Sequence, residues 1–95
     1  MDQQSGTNWT EERVIGILRE LAKEEDLPKH LVAGPITGAD TVETMGIDSL
    51  GAVWLTDRIE AEANIPLPDD FLEYDHSIAT IAQRMNTLAL DGGFK

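Results

Sequence analysis

Hydrophobic residues recur at helical spacing in the first part of the chain. Thr10, followed by Glu11 and Glu12, is typical of a helix start, because a hydroxyl can cap the first turn and acids suit its positive end. The apolar positions that follow lie three or four residues apart, as on one face of a helix: Val14, Ile17, Leu18, Leu21 and Ala22. This pattern predicts a helix from Thr10 to about Glu25 with one buried face.

The longest helical pattern runs from Ser49 to about Ala63 and has two apolar stripes. One stripe carries no charge and has i, i+4 spacing: Ala52, Leu55, Ile59 and Ala63. The other contains several larger residues, with acids within it and beside it: Leu50, Val53, Trp54, Asp57, Glu60 and Ala61. Only one stripe can face the core of a small bundle, so we expect the second to be an exposed partner surface. Alternatively, Trp54 is a core residue, since large aromatics are usually mostly buried.

A further helical pattern runs toward Leu90 and is stopped by residues 91–93, which include two glycines. Its apolar residues keep helical spacing: Ile78, Ile81, Ala82, Met85 and Leu88. Either Asp75 or Ser77 is placed to cap this last helix. The pattern predicts a helix that closes the bundle.

Two segments between these helices have weaker patterns. Pro66 and Pro68 end the second helix, and Asp69 and Asp70 then favour a short helix that runs to about Tyr74. From Leu27 to Thr44 neither a helical nor a strand period persists, so we expect a long loop. The apolar residues expected to hold this loop against the bundle are Leu31, Val32 and Ile36.

Length and charge narrow the function. A chain of 95 residues fits one domain, which we place at residues 9–90 between a flexible leader, 1–8, and a tail, 91–95. Its net charge of -11 opposes binding to nucleic acid or anionic membranes and favours partners with basic surfaces. The absence of cysteine excludes disulfides and thiolate catalysis. With no long apolar span in the sequence, we expect a cytoplasmic protein.

Ser49 carries the candidate chemistry. Asp48 is a good N-cap for a helix that begins at Ser49, which places the serine hydroxyl at the N-terminal end of that helix. The positive end of the helix dipole would stabilise an anionic group there, such as a phosphodiester on the hydroxyl. The simpler interpretation is a serine that only helps to cap the helix.

The segment Gly46-Ile47-Asp48-Ser49-Leu50 resembles the attachment motif of acyl and peptidyl carrier proteins. The resemblance extends from about Thr44 to Met85 and is greatest to the carrier domains of polyketide synthases, through the Leu-Pro turn at 67–68 and Asp75-His76. Ser77 and Ile78 stand where those domains have proline and threonine, a mild departure because serine can also start a helix.

The resemblance implies an all-α fold, a small antiparallel bundle of three main helices and one short helix. It also implies that Ser49 bears a 4′-phosphopantetheine arm, with Asp48 supporting its attachment. A phosphopantetheinyl transferase would add the arm from coenzyme A. The arm would then carry acyl thioesters between enzymes of polyketide or fatty acid biosynthesis, such as a ketosynthase or an acyltransferase. Such a carrier is a monomer, has no catalytic residue of its own and holds no metal.

Two alternatives to an acyl carrier remain, a peptidyl carrier of a nonribosomal pathway and an unmodified helical interaction module. An enzyme is disfavoured, because Ile47 occupies the place of the glycine that a serine hydrolase elbow requires. His30 and His76 are the histidines of the chain. We expect a solvated His30 and a capping or packing role for His76 beside Asp75.

Overall fold

The computed structural model describes residues 9–25, 27–68 and 71–90. These residues form four helices: α1, Glu11–Glu24; α2, His30–Ala33; α3, Ser49–Ala63; and α4, Ile78–Leu90. They contain no strand, only one isolated antiparallel bridge between Thr41 and Ser77. The predicted all-α fold with three long helices and one short helix is confirmed, but the short helix is α2 and not the one predicted before Tyr74. None of the helices in the described ranges is long and apolar enough to cross a membrane.

Helix α1 is the element against which α2, α3 and α4 all pack. Thr10 caps it as predicted, since its Oγ1 accepts a hydrogen bond from the Arg13 N–H at 3.1 Å. The predicted apolar face is buried: Val14, Ile17, Leu18, Leu21 and Ala22. Arg58 of α3 also pairs with Glu24 at 2.5 Å. The first helix is therefore confirmed in position and in the face that it buries.

Helix α3 spans the predicted residues and ends at Asn64, which adopts the left-handed conformation with φ 57°. A left-handed residue, usually glycine and sometimes asparagine, commonly ends a helix in this way. The charge-free stripe faces the core at Leu55, Ile59 and Ala63, while Ala52 is half-buried. Two further residues of α3 are buried, Gly51 and Thr56. The choice of core stripe is thus confirmed.

The segment between α1 and α3 is more ordered than the predicted loop, because it contains α2. Leu31 and Val32 donate their N–H groups to the carbonyls of Pro28 and Lys29, both at 3.0 Å. Leu31 is fully buried, and Val32 and Ile36 pack partly against the core, as predicted. A helix of four residues is too short to display a period, so its formation depends on the burial of Leu31.

The short helix predicted up to Tyr74 is wrong for residues 71–74, which form a bend and the start of a turn. Asp69 and Asp70 lie outside the described residues. The carbonyl of Tyr74 instead accepts a hydrogen bond from the Glu43 N–H at 2.9 Å. Pairing with a distant segment therefore replaces the local helical hydrogen bonds that acids in a first turn would favour.

Helix α4 begins after Ser77, one of the two predicted caps, whose Oγ accepts from the Thr80 N–H at 3.1 Å. The side chain of Asn86 then holds the start of the chain's described part to this helix. Its Oδ1 accepts from the Trp9 N–H and its Nδ2 donates to the Trp9 carbonyl, both at 2.7 Å. The predicted stop at 91–93 and the tail lie outside the described residues, as does the leader.

Candidate functional site

Ser49 is the first residue of α3, and its side chain is exposed. Asp48 caps the helix from an extended conformation, with its Oδ1 accepting a hydrogen bond from the Gly51 N–H at 2.8 Å. The predicted cap is therefore confirmed. The serine hydroxyl stands at the positive end of a 15-residue helix, where a negatively charged substituent is stabilised.

The loop before Asp48 is held by hydrogen bonds among its own residues, from two threonine side chains and from the backbone. The Thr41 N–H donates to Thr44 Oγ1 at 2.7 Å, and the Thr44 N–H donates to Thr41 Oγ1 at 3.1 Å. Gly46 has φ 77°, a conformation that favours glycine, and it turns the chain so that buried Ile47 donates to the Val42 carbonyl at 3.2 Å. These contacts fix the direction in which the chain enters α3.

A groove of about 600 Å³ opens beside Ser49. Helix α3 contributes four residues to its lining: Ser49, Ala52, Val53 and Thr56. The remaining lining residues come from two loops: Val42, Glu43 and residues 72–75. Glu43, Glu73 and Asp75 are its charged residues, and all three are exposed. The groove thus has an apolar lining with acidic residues among it, and a pocket of this volume can hold a small organic group.

The two loops of the groove are joined by backbone hydrogen bonds. Val42 donates to the carbonyl of His76 at 3.0 Å, next to the bond from Glu43 to Tyr74. Ile78 in turn donates to the carbonyl of Asp40 at 3.0 Å. Residues 40–43 and 74–78 therefore form one paired unit that faces α3 across the groove.

A family model described as the phosphopantetheine attachment site matches residues 12–85 of the chain. The match covers most of the described fold, including Ser49 and both groove loops. The chain belongs to the phosphopantetheine attachment family. Proteins of this family carry a covalently attached 4′-phosphopantetheine. No curated protein and no solved structure gives a significant match to the chain.

The residues around Ser49 fit such a group. A phosphodiester requires an accessible hydroxyl, and Ser49 is exposed at the first position of α3. Its phosphate would carry a negative charge that the helix dipole favours. The rest of the arm is an uncharged amide chain, for which the groove beside Ser49 offers apolar and polar contacts. The geometry of this carrier domain is therefore suited to the cofactor of its family.

The second stripe of α3 is only partly exposed. In the described residues the exposed large apolar side chains are Leu50, Val53 and Tyr74, at 55%, 49% and 53% of full exposure. Asp57 is exposed and Glu60 is half-buried. Trp54 is also half-buried and packs against the core, so the expectation of an exposed indole is wrong in part. Its neighbours along the stripe, Leu50 and Val53, do lie on the surface as predicted.

The histidines have the structural settings that we expected. His30 is exposed at the start of α2. The Nδ1 of half-buried His76 accepts a hydrogen bond from the Glu73 N–H at 3.2 Å, and its Nε2 lies 3.5 Å from Arg84. Glu73, Asp75 and His76 bring ligand atoms within 4.8 Å of one another. The Arg84 guanidinium beside the ring and the hydrogen bond from the Glu73 N–H indicate that His76 helps to hold the turn between Glu73 and His76.

The resemblance implies that the segment ending at Tyr74 lies near the arm, but the sequence did not identify Val42 and Glu43 as part of the site. Tyr74 and Glu43 approach Ser49 only because residues 40–43 and 74–78 pair with each other. Gly51 was also missed, although a glycine in the first turn of a helix is itself a signal, since glycine disfavours helix formation.

Proposed function

We propose that this domain is an acyl carrier whose 4′-phosphopantetheine arm is attached to Ser49 and shuttles thioester-bound acyl intermediates between enzymes. The observation that carries the proposal is the exposed hydroxyl of Ser49 at the start of α3, within the family-matched region and on the lining of the groove. Asp48 supports attachment by capping the same turn.

The chemistry asked of the carrier itself is limited. The Ser49 oxygen would attack the coenzyme A phosphorus that bears the pantetheine arm, and the hydroxyl proton would pass to a base of the phosphopantetheinyl transferase. The phosphoanhydride bond of coenzyme A would break as the Ser49 phosphodiester forms, with adenosine 3′,5′-bisphosphate as the leaving group. When bound, the arm supplies a terminal thiol that holds acyl groups as thioesters. Asp48 can also support the step through a metal ion held with coenzyme A, which is compatible with its role as cap. The domain thus needs no catalytic residue of its own.

Partner enzymes are expected to contact the exposed part of α3 next to Ser49. Leu50 and Val53 provide the apolar centre of this surface, and Asp57 and Glu60 provide acids beside it. Trp54 contributes only through its exposed part. This surface would fit a transferase, ketosynthase or acyltransferase that has an apolar patch surrounded by basic residues, because opposite charges steer association. Tyr74 extends the surface to the other side of the groove.

The resemblance from Thr44 to Met85 supports polyketide biosynthesis as the pathway, with fatty acid biosynthesis next. We place the carrier in the cytoplasm as a monomer of one domain, residues 9–90. A peptidyl carrier is the alternative within the family, and an unmodified interaction module is the alternative outside it. An interaction module would keep its binding partners after Ser49→Ala, whereas a carrier would lose every thioester.

Acyl loading tests this function directly. The protein would be incubated with acetyl-coenzyme A and a broad-specificity phosphopantetheinyl transferase, then treated with hydroxylamine, which cleaves thioesters. We expect a mass gain of acetyl-phosphopantetheine from which hydroxylamine removes only the acetyl group. The Ser49→Ala variant should stay folded and gain nothing. An equal mass gain on the variant would contradict the proposal.

A further inference from the structure

Gly51 lies buried in the first turn of α3, two residues after Ser49. Its backbone N–H donates to Asp48 Oδ1, the bond that caps the helix. An added Cβ would lie 2.9 Å from Leu27 Cδ2 and 2.9 Å from Ile47 Cγ2, and 3.4 Å from Asp48 Oδ1. The start of α3 therefore packs so closely against the preceding loops that a side chain at position 51 requires Leu27 and Ile47 to shift.

The reason for glycine here is space. In the described residues the glycine with positive φ is Gly46, so the backbone of Gly51 is one that any residue could adopt. Glycine stabilises a helix less than alanine does. The close packing at position 51 has to offset this loss of helix stability. Gly16, in α1, gives the contrast, because an added Cβ there would meet nothing within 4 Å.

The neighbours of Gly51 have little freedom to move away. Leu27 and Ile47 are both buried in the core, at 8% and 3% exposure. Ile47 is β-branched, which restricts its side-chain rotamer, and it directly precedes Asp48. Displacement of Ile47 would therefore displace the cap and, with it, the first residue of the helix. A side chain at position 51 acts on the residues that hold Ser49.

We infer that Gly51 is a positioning residue for the modification of Ser49. Its missing side chain lets the first turn of α3 pack on Leu27 and Ile47, and this packing sets the direction of the serine hydroxyl toward the transferase. The inference rests on the proposed function, in which Ser49 is the attachment point. Gly51 itself is buried, so its effect on the modification acts through Ser49.

The test compares Gly51→Ala with the native protein in transferase kinetics. Because a displacement of about 1 Å at a reacting group can cost orders of magnitude in rate, we expect kcat to fall roughly tenfold. KM should change much less, since Leu50 and Val53 remain available on the surface. The amide NMR shift of Ser49 should move in the unmodified variant.

Two further variants separate positioning from general damage. Gly51→Ala combined with Leu27→Val and Ile47→Leu removes both methyl groups that the new Cβ would meet, and it should recover a substantial part of kcat and return the Ser49 shift toward its native value. Leu27→Val with Ile47→Leu, without the change at position 51, shows the effect of the altered core residues. Gly16→Ala is the matched control and should leave kcat unchanged.

Several outcomes would overturn the inference. One is a Gly51→Ala variant with native kcat, and another is a loss of kcat that Leu27→Val combined with Ile47→Leu does not relieve. A general loss of helical signal in Gly51→Ala would also contradict it, because the effect is placed at the first turn of α3. Failure of the native protein to be modified would instead count against the proposed function.

Discussion

Glu43 and Tyr74 are joined by a backbone hydrogen bond of 2.9 Å, although 31 positions separate them in the numbering. This bond belongs to the pairing of residues 40–43 with 74–78 that forms the loop side of the Ser49 groove. The site therefore combines a helix start, fixed by local capping, with a wall that only the tertiary fold assembles.

Asp48→Ala and Asp48→Asn distinguish the observed capping role of Asp48 from its proposed role in attachment. Alanine removes the cap on Gly51 and should lower the free energy of unfolding by about 1 kcal/mol. Asparagine can still accept that hydrogen bond, so its stability should stay near native while transferase turnover falls with the lost carboxylate charge. Urea denaturation and modification rates measure the two effects. Equal turnover for Asp48→Asn and the native protein would leave capping as the sole role.

The stability lost on replacing Gly46 should depend on how readily the new residue adopts a positive φ. Gly46→Ala forces an L side chain to φ 77° and places its Cβ 3.3 Å from Pro28 Cγ, so we expect a loss of about 1–2 kcal/mol. Gly46→Asn should cost less, because asparagine visits this region more readily. Thermal unfolding of both variants tests the prediction, which an equal loss for the two would contradict.

Asn86 ties α4 to the backbone of Trp9 by two hydrogen bonds of 2.7 Å. Asn86→Ala leaves both partly buried Trp9 groups without these partners and should cost about 1–3 kcal/mol. Modification of Ser49 in the folded variant should be unchanged. Indole fluorescence in a Trp54→Phe background would report Trp9 alone. The exposed Gln83→Ala on the same helix is the control and should be neutral.

Val53 and Tyr74 should matter for partner enzymes and little for stability. Both are about half exposed, so Val53→Ser and Tyr74→Ser should each change the free energy of unfolding by less than about 1 kcal/mol. If they lie in the partner surface, each should raise the KM of a partner enzyme for the carrier several-fold. Gln83→Ser, exposed on α4 and outside the groove lining, serves as control. Unchanged KM values would remove both residues from the surface.

The sequence predicted the features that depend on neighbouring residues. Thr10 and Asp48 mark helix starts because a short polar side chain caps the turn that follows it, and both caps form as expected. The core stripe of α3 was also predictable, since uninterrupted apolar spacing at Leu55, Ile59 and Ala63 leaves one face to bury.

The errors arise where distant segments decide the structure. Acids at 69 and 70 favour a helix locally, yet Tyr74 pairs with Glu43 from another loop. Trp54 lies on the outer stripe of α3 but is wide enough to pack partly on the core. Helix α2 depends on the burial of Leu31, and the groove depends on the pairing of two loops. The spacing of apolar residues along the chain predicts none of these relationships.

Intact mass measurement before and after incubation with coenzyme A and a broad-specificity phosphopantetheinyl transferase tests the central claim most directly. Ser49→Ala is the parallel sample, and the starting mass shows whether the native protein is already modified. We predict one phosphopantetheine on the native protein and none on the variant. A folded, unmodified native protein that gains nothing, or a variant that gains the same mass, would contradict attachment at Ser49.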